Sequence, residues 1–234
     1  MEFDPRIFVA PIVCVVVGLV WIFWAVGRHY LRRRAFAKLA KDLGLDYLKK
    51  PPVEVSPEED RLVRRGFGTG LAFNNFMTGL YEGFAVEISD QIQSQMLSSQ
   101  STMSHTVIEL TRYGMRTPEF ILQPESKLSW SSHLVEGSSG MKFGDDLTFS
   151  MHNYLRGPST QEIMALFAED VRGLLRGNET LWIQGTGNSY RFYECGYIVP
   201  VRSIPAMLER VLKMTRIFCA TYPPKAPPSG SAKN

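Results

Sequence analysis

The chain has 234 residues, of which 44% are hydrophobic, 21% charged and 12% aromatic, and its formal net charge is +3. These values are close to those of an ordinary globular protein and exclude a wholly disordered, collagen-like or coiled-coil chain. The three cysteines are too few for a disulfide scaffold. The length predicts one domain, or two small ones.

An uncharged stretch near the N-terminus predicts a transmembrane helix over residues 7–27. The run from Ile7 to Val26 contains no charged residue, and twenty helical residues span about 30 Å, the thickness of a hydrocarbon core. Trp21 and Trp24 lie toward its C-terminal end, as interfacial aromatic residues do. A cleaved signal peptide is the alternative, but the sequence lacks a basic N-terminal region and a small-residue cleavage site. We therefore expect one uncleaved membrane anchor.

The charge distribution predicts the orientation of this anchor. Residues 28–50, predicted as a basic juxtamembrane helix and linker, hold eight Lys and Arg against two Asp, a net charge of +6. Residues 51–234 hold 17 basic and 19 acidic residues. The positive-inside rule then places the N-terminus outside the inner membrane and the rest of the chain in the cytoplasm.

The basic cluster after the span has two interpretations. It could bind anionic lipid headgroups, at roughly 1 kcal/mol per cation near the surface, or it could serve only as the topology signal. On the first interpretation, the candidate membrane-surface contacts are Arg28, Arg32, Arg33, Arg34, Lys38 and Lys41.

The first half of the remaining chain shows helix and strand signals. The juxtamembrane helix is expected to end near Leu43, because Gly44 can adopt a positive φ, and a short helix is expected over 57–65. Two strands should join at Glu82–Gly83. The second, 84–92, alternates so that one face is apolar except for Asp90.

A hairpin is expected between residues 84–92 and 105–113. The connection from Gln93 to Ser104 is rich in Ser and Gln, which predicts a mobile, exposed loop. If this loop is ordered by any contact, Met96 and Leu97 should meet a partner or the membrane surface. A passive loop is the alternative.

The second half is predicted as a series of short strands, helices and loops. We expect a strand over 119–122, a loop over 125–144, a strand over 145–155, a helix over 160–176, a hairpin over 180–195, a helix over 204–218 and a disordered tail over 223–234. Because strands and helices do not alternate regularly along the chain, the sequence predicts an α+β fold with a largely antiparallel sheet and two main helices. This cytosolic domain should cover 51–222, either as one unit or as two subdomains divided near 125–145.

Motifs for catalysis or cofactor binding do not emerge from the sequence. The Gly66–Gly70 stretch lacks the Lys and spacing of a phosphate loop, the four histidines show no metal-ligand spacing, and no G-x-S-x-G elbow occurs. Asp145–Asp146 could bind a cation, although such a pair is usually a solvated turn. We therefore assign no catalytic, cofactor-binding or metal residues and expect no cofactor.

The aromatic residues of the last third also have two interpretations. With Arg191 and Arg202 they could stack on nucleic acid, but the chain beyond residue 50 is slightly acidic, which disfavours that partner. Packing within the fold is the better prediction for these residues, which are Trp182, Tyr190, Phe192, Tyr193 and Tyr197.

The order of short motifs over residues 35–218 resembles a bacterial family of membrane-anchored proteins of unknown function. The segments that carry the resemblance are Leu39–Leu45, Asn75–Gly79, Gly83–Val86, Pro118–Glu125, Phe149–Gly157, Leu166–Phe167 and Trp182–Gly187. In the segment from Phe149 to Gly157 the spacing is one residue shorter than the family pattern. The resemblance implies an N-terminal anchor followed by a folded cytosolic module, and it supplies no catalytic residues.

These observations predict a single-pass membrane protein with a non-enzymatic module that binds an unidentified protein or small molecule at the cytoplasmic membrane face. Two alternatives remain open at this point. One is an enzyme of unfamiliar type whose site is assembled from separate segments. The other is a lipid-binding module that uses the basic helix and an apolar groove.

Overall fold

A computed structural model of the chain describes residues 6–49, 70–94, 102–125, 140–178 and 180–223. The described helices are α1 (Arg6–Leu43), α2 (Leu147–His152), α3 (Thr160–Leu166), α4 (Glu169–Leu175) and α5 (Ile204–Thr221), the last preceded by a 3-10 turn at Val201–Ser203. The described strands are β1 (Asp46–Leu48), β2 (Gly70–Tyr81), β3 (Phe84–Ser94), β4 (Thr102–Thr111), β5 (Thr117–Pro124), β6 (Asn153–Arg156), β7 (Leu181–Gly187) and β8 (Ser189–Glu194).

Helix α1 is continuous from Arg6 to Leu43, so the predicted end of the juxtamembrane helix is confirmed. Gly44 follows with φ +70°, a conformation that glycine adopts without strain. Side chains of residues 6–15, 19, 20, 22 and 25, which make up most of the predicted span over 7–27, lie outside the described residues. On the residues that the structure does describe, none of the helices combines the length and the apolar character needed to cross a membrane. The span stays a prediction.

The strands form one eight-stranded sheet in the order β1-β2-β3-β4-β8-β7-β5-β6, and every neighbouring pair is antiparallel. The predicted α+β class with a large antiparallel sheet is therefore confirmed. Strands from both sides of residues 125–145 lie in this sheet, because β8 and β7 are inserted between β4 and β5.

Three of the predicted strand pairings are present. Strands β2 and β3 meet at Glu82–Gly83, where both residues have positive φ. Strands β3 and β4 pair from Ala85↔Thr111 onward, and β7 and β8 form a hairpin whose turn is Gly187–Asn188. The loop is shorter than the predicted range 93–104, because β3 extends to Ser94 and β4 begins at Thr102.

The core lies between one face of the sheet and the helices. Val86, Ile88, Ile108, Leu110 and Phe192 are buried on that face, as strand alternation requires. Helices α3, α4 and α5 supply the facing apolar side chains, and the Phe167 ring stands at 89° to that of Phe120 at a centroid distance of 5.1 Å. The apolar spacing over 160–176 and 204–218 predicts one buried face for each segment. The residues of these faces are buried here, with Leu174 only partly buried; they are Ile163, Leu166, Phe167, Val171, Leu174, Leu175, Ile204, Met207, Leu208, Val211 and Phe218.

Two predicted elements differ from the structure. Residues 145–155 were predicted as one strand, but they form α2 and then β6, because the Asp146 carboxylate accepts the Phe149 backbone N–H at 2.9 Å and so caps a short helix. The single helix predicted over 160–176 is two helices. Ala168 is extended, with ψ 169°, and interrupts the helical hydrogen bonds between α3 and α4. The prediction of two main helices was accordingly too simple.

Several predictions fall wholly or largely outside the described residues. These are the helix over 57–65, the centre of the loop over 93–104 with Met96 and Leu97, the greater part of the loop over 125–144, and the tail over 223–234.

Candidate functional site

The candidate site is the junction at which α1 meets the sheet, close to the predicted membrane boundary. Arg32 projects from α1 onto Asp90 of β3 and forms a bidentate ion pair with it. Its Nε lies 2.6 Å from one carboxylate oxygen of Asp90 and its Nη2 lies 2.7 Å from the other. The side chain of Asp90 is only 5% exposed and that of Arg32 is 19% exposed. A planar guanidinium in this arrangement is the geometry that makes arginine–carboxylate pairs strong.

Two neutral side chains also donate hydrogen bonds to the Asp90 carboxylate. Asn75 Nδ2 donates to one oxygen at 2.8 Å, and the Thr106 hydroxyl donates to the other at 2.8 Å. Thr106 Oγ1 in turn accepts the backbone N–H of Val199 at 3.0 Å. Each carboxylate oxygen therefore receives one charged and one neutral donor, which is how a buried charge is compensated. We call Arg32, Asn75, Asp90 and Thr106 the junction cluster.

A bulge in β2 places Asn75 in the junction cluster. The β2–β3 register shifts between Asn74 and Phe76, and Asn75 has φ +51°. Asparagine tolerates this left-handed conformation better than most residues with a side chain. The bulge changes the direction of the Asn75 side chain, which is 4% exposed and lies beside Asp90.

Apolar packing continues the junction along α1 beyond the ion pair. Phe36 and Ala40 are 0% and 1% exposed, and they follow Arg32 at intervals of four residues, on one face of the helix. Leu45 then packs against Gly79 of β2, where a side chain would collide with it. The C-terminal part of α1 is therefore built into the domain core.

The other predicted membrane-surface residues occupy solvent-exposed positions of α1. Arg28, Arg33, Arg34, Lys38 and Lys41 are all exposed. The guanidinium of Arg28 stacks over the Trp24 ring at 4.5 Å, and that of Arg34 lies over the Tyr30 ring at 5.7 Å. Arg32 alone among the six is turned inward, toward Asp90. Contact of the other five with a membrane remains a prediction.

The opposite face of the sheet carries buried polar and aromatic residues. His105 is 3% exposed and stacks on Tyr193 with ring centroids 4.9 Å apart. Burial, followed by the positive charge of Arg191, lowers the pKa of His105 to about 4. Its Nδ1 has no hydrogen-bond partner among the described residues. This imidazole is therefore neutral at pH 7, and a base of such low pKa would be a weak proton acceptor in catalysis.

The acidic pair considered above as a cation site is engaged by arginine. Arg172 donates to Asp145 at 2.5 Å and Arg176 donates to Asp146 at 2.9 Å. The hydrogen bond from Arg172 lowers the pKa of Asp145, while the Phe149 N–H and then Arg176 lower that of Asp146. Asp146 therefore caps α2, and the two carboxylates join α2 to α4 through these arginines.

The predicted packing of the aromatic residues is confirmed for Trp182, Tyr190, Phe192 and Tyr193, each at most 3% exposed. Tyr197, at 47% exposure, lies partly at the surface. Within the described ranges, no group of three or more His, Cys, Asp or Glu residues is placed to hold a metal ion.

The junction cluster could be anticipated only in part. The sequence places Asp90 on an otherwise apolar strand face, which is a signal for a buried carboxylate with a partner. That partner, Arg32, is 58 residues away in a cluster of four arginines and a histidine between 28 and 34. Sequence reasoning gave Asn75 and Thr106 no role at this site, although Asn75 begins one of the motifs that carry the family resemblance.

Comparisons with known proteins show a distant structural likeness. No protein-family model matches the chain, and no curated protein matches it in sequence. A solved structure that is similar, the crystal structure of the mycobacterial trehalose monomycolate transport factor A, TtfA, has a TM-score of 0.49 and 16% sequence identity. The likeness covers 83% of this chain and 98% of that one. Chains this distant can share an arrangement of elements and differ in function.

Proposed function

We propose that the chain is a single-pass protein of a bacterial inner membrane, in which α1 holds a non-enzymatic binding module at the cytoplasmic face. The observation that carries this proposal is the continuity of α1. The helix that contains the uncharged segment Ile7–Val26 runs without a break to Leu43 and is fixed to the sheet through Arg32, Phe36 and Ala40. Membership of the membrane-anchored family named above is part of the proposal.

The surface of α1 supports a lipid environment for its N-terminal half. Trp21, Phe23 and Trp24 are 67%, 85% and 57% exposed, and Val16, Val17 and Val26 are exposed as well. Large apolar side chains exposed together on a helix are unfavourable in water and favourable in hydrocarbon. The exposed arginines and lysines that follow on α1 would then lie at the cytoplasmic headgroup layer.

The ion pairs and the burial of the titratable groups favour a binding function over a catalytic one. Asp90, Asp145 and Asp146 are all neutralised by arginines in the described part of the chain, and His105 is buried and neutral. Groups held in this way stabilise a scaffold and are poorly placed to exchange protons with a substrate.

The anchor and its orientation can be tested by cysteine labelling in intact cells. The native cysteines Cys14, Cys195 and Cys219 are replaced by alanine, and single cysteines are introduced at Phe3 or Gly230. A membrane-impermeant maleimide should label the first position only, and both after permeabilisation. Labelling at Gly230 alone would reverse the orientation, and release of the protein by alkaline carbonate would refute the anchor.

The binding module can be tested by affinity purification of the full chain from membranes in mild detergent. Leu147 and Met151, one turn apart on α2, are 68% and 71% exposed, and we expect this exposed apolar pair to contact a partner. Capture of a defined partner should therefore be lost in Leu147→Ser/Met151→Ser. Residues 1–50 fused to an unrelated domain are the control for capture by the anchor alone. Identical captured proteins from the full chain and the fusion would contradict the proposal.

A further inference from the structure

The direction of α1 relative to the sheet can be deduced from two contacts. Arg32 meets Asp90 of β3, whose register partner in β2 is Asn74. At the other end of the helix, Leu45 and the Gly44 carbonyl lie against Gly79 of β2. Helix α1 and strand β2 therefore run in the same direction over this stretch.

The lengths of the two elements agree with a side-by-side arrangement. The strand from Asn74 to Gly79 covers about 17 Å at roughly 3.3 Å per residue. The helix from Arg32 to Leu43 also covers about 17 Å at 1.5 Å per residue. A position along the strands can therefore be converted into a position along the helix.

The strands continue past the junction cluster toward the predicted membrane. Strand β3 runs four residues beyond Asp90 to Ser94, and it pairs there with the first residues of β2 and β4. Four strand residues cover about 13 Å, which corresponds to about nine residues of helix. This end of the sheet therefore reaches the level of Phe23 on α1, between Trp21 and Trp24.

The charges along β2, β3 and β4 are distributed unevenly. The end that we call the proximal end consists of residues 70–75, 91–94 and 102–106, and it contains no Asp, Glu, Lys or Arg. The remaining residues, 76–90 and 107–113, which we call the distal half, carry Glu82, Glu87, Asp90, Glu109 and Arg112. Asp90, Glu82 and Glu109 are paired with Arg32, Arg216 and Arg191 respectively. An end free of acidic side chains can approach anionic headgroups without repulsion.

We infer that the proximal end of the sheet rests against the headgroup layer of the membrane that holds α1, as a second contact beside the anchor. This inference rests on the proposed function, because it takes the bilayer boundary to lie at Trp21–Trp24. Two contacts at one membrane surface fix the tilt of the domain, whereas a single helix would leave it free to swing. The distal turns, with exposed Leu80 and Tyr113, then face the cytoplasm.

The test measures the depth of fluorescent probes on the full chain in vesicles of phosphatidylethanolamine and phosphatidylglycerol. An environment-sensitive dye is attached to a single cysteine at Ser104 in the proximal end or at Tyr113 in the distal half, in the cysteine-free chain described above. Ile92 and Leu80 form a second pair, used where unfolding by urea shows that a labelled variant of the first pair has lost its fold. A lipid spin-labelled at the headgroup is the quencher.

We expect severalfold stronger quenching at Ser104 than at Tyr113, with emission at Ser104 shifted to shorter wavelength. Equal quenching at the two positions, in protein that floats with the vesicles and resists carbonate, would overturn this inference and leave the anchor intact. Protein that fails to float would overturn both the anchor and the inference.

Discussion

Removing one partner of the junction cluster should strongly destabilise the fold. In Arg32→Met, the Asp90 carboxylate keeps its neutral donors but loses two charge-assisted hydrogen bonds of 2.6 and 2.7 Å at 5% side-chain exposure. Hydrogen bonds to charged groups contribute roughly 1.5–3 kcal/mol each. Breaking a buried pair from one side costs about 3–5 kcal/mol, since the remaining charge stays buried. We expect a loss in that range in the free energy of unfolding.

The measurement is urea unfolding of the full chain in detergent, followed by circular dichroism, on a double-mutant cycle. Arg33→Met is the matched control, because Arg33 is exposed on the same turn and should cost no more than about 0.5 kcal/mol. The double variant Arg32→Met/Asp90→Leu removes both charges and should recover most of the loss. Additive single effects, or an Arg32→Met loss equal to that of Arg33→Met, would refute the reasoning.

Two further predictions concern the close backbone approach at Gly157 and the titration of the buried His105. In Gly157→Ala, the new methyl group would collide with the Glu119 carbonyl oxygen and the Ile163 side chain. We therefore expect the free energy of unfolding, measured by thermal unfolding, to fall by about 1–3 kcal/mol. Gly173→Ala is the control, because Gly173 lies in α4 and a methyl group there would meet no atom within 4 Å. Its free energy of unfolding should rise by about 0.5–1 kcal/mol. A rise in both variants would contradict the packing described at Gly157. For His105, the pKa is about 4 in the folded chain against 6.5 ordinarily, so between these values the unfolded chain binds the additional proton. The free energy of unfolding should therefore fall by up to about 3 kcal/mol from pH 6.5 to pH 4. His105→Gln should remove this pH dependence of the free energy of unfolding. Replacing the exposed His152 by Gln should leave it in place. An unchanged pH dependence in His105→Gln would show that the imidazole is not buried as described.

The sequence by itself determined the elements whose signals are local. The positive φ available at Gly83 and Gly187 specified two hairpin turns between strands of alternating pattern. The apolar spacing of the helix from Ile204 onward specified its buried face. These features depend only on residues within a few positions of one another, so no tertiary contact was needed to predict them.

Only the tertiary structure decided how these elements combine. The segment over 145–155 alternates like a strand, yet Asp146 caps a helix there and is paired with Arg172 of α4 and with Arg176 directly after it. The insertion of β8 and β7 between β4 and β5 leaves no mark on the local pattern. Asp90 stood out on an apolar strand face, but the pattern could not say which of the clustered arginines would turn inward to meet it. That choice depends on where α1 lies on the sheet, because a buried carboxylate is stable only where the packed elements bring a charged donor within hydrogen-bond distance.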